Sequence, residues 1–184
     1  MRAADLDILF VPGLDGSGPD HWQTRWEEKL STGARVEQDD WSRLALSPWR
    51  ERLVERVAGA TRPVVLVAHS AGVAAVAHAA PHLPAGVVKG AFLVSPPSRR
   101  VLRDLNACAA DFADVPDIAL PFPALLVASR TDPYASFAEA EAYARAWGAE
   151  LADAGDSGHI NAESGHGPWP EGLMRFAGFL KQLG

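Results

Sequence analysis

The 184-residue chain has a single cysteine, Cys108, so it cannot close an internal disulfide. Its fold must therefore rest on an apolar core, and the expected setting is a reducing one, the cytoplasm. Cys108 itself sits in an alanine-rich stretch and reads as a small buried hydrophobe. Basic residues are scarce as well: 17 Lys and Arg stand against 23 Asp and Glu, giving a net charge of -6. That balance disfavours a nucleic-acid partner, which calls for a cationic patch against phosphates. A small neutral or cationic ligand fits better. No apolar run approaches the length of a membrane span or a signal sequence, so no membrane partner is expected. Repeats, low-complexity segments and runs of like charge are missing too, and nothing in the pattern specifies an oligomeric state. What remains is an ordinary globular composition, 48% apolar and 22% charged, at a length suited to one domain over residues 1–184.

Short apolar runs that stop at glycine or polar residues are the signature of strands buried on both faces of a parallel sheet. Four occur, at Asp7–Val11, Val64–Ala68, Val87–Val94 and Ala124–Ala128, and Ala34–Gln38 and Glu150–Ala152 are weaker ones. Helical patterns lie between them. Pro19–Leu30 and Pro48–Ala58 each open on proline and carry large apolar residues four apart. Ser70–His82 is nearly all small and apolar, and Ser136–Trp147 and Glu171–Leu183 complete the set. This alternation predicts a three-layer α/β fold on a mostly parallel sheet of about six strands. In such sheets the ligand crevice lies at the carboxyl ends of the strands, where strand order reverses.

One of those ends carries the strongest chemical signal. In "VVLVAHSAGVAAVAHAA" a buried strand runs directly into a helix through Ser70. A serine raised on so tight a turn needs small residues two before and two after it. Ala68 and Gly72 meet that need, with alanine where the usual GxSxG pattern has glycine. Ser70 is then either a nucleophile or simply the N-cap of the helix, a common task for serine.

A serine hydroxyl needs a general base held by a carboxylate, and on this kind of scaffold they follow in the order acid, then histidine. Asp132, in "ASRTDPY", and His159, in the last long loop, stand at the right sheet edge and in that order. Asp132 precedes proline and could be only a turn residue; Asp156 is the rival acid, but it shares the loop of His159. His159 could be an ordinary surface histidine, and His69 is assigned a packing or hydrogen-bonding task. For an oxyanion hole the backbone amides of Ala71 and Leu14 are the choice, with Asp15 next. Trp22, Trp41, Tyr134 and Trp169 fall on the same edge and either line a pocket or pack the loops.

Other chemistries fit less well. The glycines of "FVPGLDGSGPDHW" fail as a phosphate loop, because Gly18 is followed by Pro19 and Asp20, and a GxGxxG starting at Gly16 fails at His21. His159 and His166 are seven apart in irregular sequence, without a third ligand at a familiar offset, so no metal and no cofactor are expected.

Taken in order, "VPGLDGSGPDHWQTRW", "DDW" followed by "SPW", "VAHSAG", "LVSPP", "ASRTDPY" and "GHINAESGHGPWPEG" span nearly the whole chain. Over these blocks the sequence resembles the small serine-hydrolase family of the α/β-hydrolase superfamily that includes retinoblastoma-binding protein 9. The resemblance implies a compact fold without a large lid domain, a triad of Ser70, Asp132 and His159, and a preference for His159 over His166 as base. It does not carry over a Leu-x-Cys-x-Glu partner motif, since Asn106 and Ala110 stand at the offsets around Cys108. The expected activity is cofactor-free hydrolysis of a small ester or amide through an acyl-enzyme. A binding protein that keeps the scaffold with little turnover is the alternative.

Overall fold

Six strands form one fully parallel sheet in the computed structural model, which describes residues 1–184. They are β1 (Asp7–Val11), β2 (Gly33–Arg35), β3 (Val64–His69), β4 (Val88–Val94), β5 (Ala124–Ala128) and β6 (Glu150–Asp153), in spatial order β2-β1-β3-β4-β5-β6. The chain leaves β1 toward β2 on one side and returns to β3 on the other. The order therefore reverses between β1 and β3, which opens a crevice beyond their carboxyl ends.

Alternate side chains of each central strand enter different cores. Leu9, Val11, Leu66 and Ala68 join a cluster with α2 (Leu46–Ala58), α3 (Ala71–Ala79) and α6 (Phe137–Trp147). Ile8, Phe10, Val65 and Val67 join a second cluster on the opposite face with α1 (Trp22–Lys29) and α7 (Pro170–Gln182). The two-residue period of a strand thus divides one apolar run between two layers of helices. No helix is long and apolar enough to cross a membrane.

Several boundaries differ from the sequence expectation. The first helix starts at Trp22 rather than Pro19, because the His21 amide closes a turn on the Gly18 carbonyl and the His21 imidazole caps the helix. The second starts before Pro48, which occupies the first turn, where an amide proton would have no partner. Ser70–His82 divides into α3 and a 3-10 turn at Ala80–His82 that contains Pro81. β2 pairs only over Gly33–Arg35, against Ile8 to Phe10.

Two short helices, α4 (Arg99–Asp104) and α5 (Ala110–Ala113), have no counterpart in the expectation. Six and four residues are too few to show an amphipathic period. The one local sign of α4 is Ser98, whose Oγ accepts the Val101 amide at 3.2 Å and caps the helix.

Candidate active site

β3 and α3 meet at Ser70 with φ 55° and ψ -128°, a conformation few side chains adopt. The Ser70 amide donates to the Val94 carbonyl of β4 at 3.0 Å, which holds the turn. Gly72 is required here: a Cβ at that position would lie 2.1 Å from the Val11 carbonyl oxygen. The turn also lies tight against the loop after β1, where a Cβ on Gly13 would come within 2.9 Å of Ser70 Cβ and 3.1 Å of the Ala71 nitrogen. Ser70 does not cap α3 with its side chain. Its Oγ turns instead to His159.

His159 Nε2 lies 2.9 Å from Ser70 Oγ, and its Nδ1 lies 3.0 Å from both carboxylate oxygens of Asp132. A carboxylate accepts, so Nδ1 carries the proton and Nε2 is left to accept from the serine hydroxyl. The Asp132 side chain is 4% exposed, and its Oδ1 also accepts the Tyr134 amide at 2.9 Å, so the Asp-Pro turn itself aims the carboxylate. Asp156 is exposed and does not bond to His159. His166 contacts Ser164 within its own loop, at 3.2 Å, and not Ser70.

The loop that carries His159 is held from three directions. Gly158 and Ile160 flank it with positive φ, which turns the histidine back over the sheet edge. His69 Nε2 donates to the His159 carbonyl at 2.9 Å, and Trp22 Nε1 donates to the Ile160 carbonyl at 2.9 Å. The loops after β5 and β6 are joined as well: the Ser157 amide donates to Ser129 Oγ at 2.9 Å and the Gly158 amide to Thr131 Oγ1 at 3.0 Å. These contacts limit the freedom of the imidazole before any substrate arrives.

Two neutral imidazoles pack beside it. His69 is buried, and burial first, then the neighbouring His159, pushes its pKa well below the usual range. His21 accepts the Gln23 amide on Nδ1 at 3.1 Å and packs against His69 with the rings tilted by 59° and 4.7 Å between ring centres. Burial, with smaller contributions from His159 and Arg35, lowers His21 to about 4. In the unfolded chain it would take up a proton near 6.5, so the folded state loses stability as pH falls from that value toward 4. Denaturant unfolding at pH 5 is expected to give about 2 kcal/mol less stability from His21 alone than at pH 7. His21→Asn, which keeps an acceptor at the cap, should recover most of that difference; an unchanged pH dependence would contradict the assignment.

The side chains meet at a cleft of about 380 Å³. The amides of Leu14 and Ala71 line it without a hydrogen-bond partner in the chain, whereas the Asp15 amide is committed to the Trp41 carbonyl at 2.8 Å. Of the four aromatic residues considered for the pocket, only Tyr134 reaches the cleft, edge-on to His159 at 4.5 Å. Trp22 and Trp169 are buried in the second core, and Trp41 packs on Gly16 and Trp49. Large indoles behind the loops serve to hold them rather than to line the opening. Val101, Leu102 and Leu105, from the unforeseen α4 segment, form part of the wall together with Leu44 and Pro97. No group of three or more His, Cys, Asp or Glu side chains is placed to hold a metal ion.

Comparison with curated protein sequences gives no match. Among solved structures, a protein described as a YdeN-like hydrolase from Pectobacterium atrosepticum is 35% identical, with a TM-score of 0.86 over 98% of this chain and 94% of that one. The ydeN gene product of B. subtilis shares the fold at 18% identity, with a TM-score of 0.77 over 95% of this chain and 98% of that one. An esterase from Thermogutta terrifontis, solved with propionate bound, does so at 16% identity, with a TM-score of 0.70 over 100% and 86%. The family model for serine hydrolases matches residues 8–178, from β1 to the last helix and across every loop at the cleft. The chain belongs to the serine hydrolase family and has its compact α/β-hydrolase fold without a lid domain.

Proposed function

We propose that the protein hydrolyses small carboxylic esters or amides through an acyl-enzyme on Ser70. The observation that carries this is the unbroken line from Asp132 through His159 to Ser70 Oγ, with both links near 3.0 Å. His159 Nε2 takes the hydroxyl proton as Oγ attacks the carbonyl carbon. The tetrahedral oxyanion then accepts from the amides of Ala71 and Leu14, the first aided by the amino end of α3. His159 gives its proton to the leaving heteroatom, the acyl-enzyme forms, and a water activated by the same imidazole releases the acid. Asp132 keeps the imidazole in the required tautomer and stabilises its transient positive charge.

A fluorophosphonate probe tests this directly, because it reacts only with an activated serine. It should label the folded protein at Ser70 and leave Ser70→Ala unlabelled. Equal labelling of both proteins, or none of the folded wild type, rules out the mechanism.

A further inference from the structure

The cleft straddles the sheet edge, and its two sides differ. On the side of the larger core stand Leu44, Pro97, Val101, Leu102 and Leu105, an apolar wall with Leu44 and Leu102 buried. On the other side stand His159, His21, Asn161 and Glu163. That second side continues into a shallower groove over Gly18, Pro19 and Ala162, sharing His21, Asn161 and Glu163 with the cleft. Because His159 must hand its proton to the departing heteroatom, the leaving group occupies the side of His159. The acyl group is left with the apolar wall.

The charge in the cleft is of one sign. Asp15 and Glu163 line the cleft, and neither belongs to an ion pair. Asp20, in the adjoining groove, is tied to Arg25 at 2.8 Å. No lysine or arginine lines either depression. The neutral state of His21 and His69 adds no positive charge to the wall. His21, 8% exposed, lines both cleft and groove where they join, and its Nε2 has no hydrogen-bond partner in the chain.

Resting on the acyl-transfer reading above, we propose that this cleft selects substrates that join a short apolar acyl group to a cationic leaving group, an amino alcohol ester or the amide of a diamine. The apolar wall shelters the acyl chain, and the field of Asp15 and Glu163 favours the cation and repels an anion. Both carboxylates are exposed, so water and salt temper the effect.

The test compares kcat/KM for butyrylcholine, its neutral isostere 3,3-dimethylbutyl butyrate, and butyryloxyacetate, whose leaving group is anionic. At low salt the expected order is cation, neutral, anion, with steps of about 3- to 10-fold that shrink at roughly 0.5 M NaCl. Glu163→Gln should lower the cation-to-neutral ratio about 2- to 3-fold. A ratio within one preparation is insensitive to the fraction of active enzyme. Turnover of all three esters at equal rates, or a ratio that responds neither to salt nor to Glu163→Gln, overturns the selectivity and leaves the hydrolase reading standing. Failure to cleave any of them while a fluorophosphonate labels Ser70 overturns the selectivity alone; failure with Ser70 unlabelled overturns the hydrolase reading, and the selectivity with it.

Discussion

Ser70→Ala is expected to lower kcat for a cleaved ester by about 10⁵- to 10⁶-fold, the scale of loss when a hydrolase nucleophile is removed. The oxyanion amides and the cleft would remain, so a residual acceleration of roughly 10³ over water should persist. The fold should not suffer. Ser70 Oγ bonds only to His159 Nε2, the turn is held by the backbone bond to Val94, and alanine meets the same positive φ as serine. The thermal midpoint should therefore match wild type within a few degrees, which separates lost chemistry from lost structure. Activity within tenfold of wild type in a pure, folded Ser70→Ala preparation would show that another group attacks the substrate.

The route from sequence to this site can be followed residue by residue. β3 up to Ala68 and the whole of β5 are apolar because both of their faces are covered, and such runs end abruptly, so the residues after them declare their position at the sheet edge. That is why Ser70, Asp132 and His159, far apart in the chain, could be placed together and do meet in the structure. The finer parts of the site depend on contacts that leave no local mark. Whether Leu14 or Asp15 has a free amide turns on a carbonyl 26 residues away, at Trp41, that claims the second. Which aromatics line the cleft is set by helix packing: Trp22 and Trp169 meet at 4.9 Å behind the loops, and only Tyr134 emerges. The α4 wall was missed because one and a half turns of helix show no period. His69 is expected to pack or to hydrogen-bond, and it does bond; that its partner is the His159 carbonyl, 90 residues on, leaves no mark in the sequence around the serine.

Asp132→Asn is expected to lower kcat by about 10³- to 10⁴-fold while leaving substrate binding nearly unchanged. Oδ1 is held by the Tyr134 amide, so the asparagine oxygen should stay there and the amide nitrogen should replace Oδ2, 3.0 Å from His159 Nδ1. That nitrogen donates. Nδ1 then faces a donor beside the retained Oδ1, also 3.0 Å away, so the tautomer with the proton on Nε2 gains a partner it lacks in wild type. In that tautomer the imidazole meets Ser70 Oγ as a donor and cannot take the hydroxyl proton. The lost negative charge adds to the deficit, because the imidazolium formed during attack no longer has a buried counter-ion. Asp156→Asn provides the contrast: that carboxylate is exposed and makes no bond to His159, so its removal should leave kcat within about twofold. Measured with one ester, the pair of variants assigns the acid. A large loss at residue 156 with a small one at 132 would move the brace of the imidazole from the loop after β5 to the loop of His159 itself.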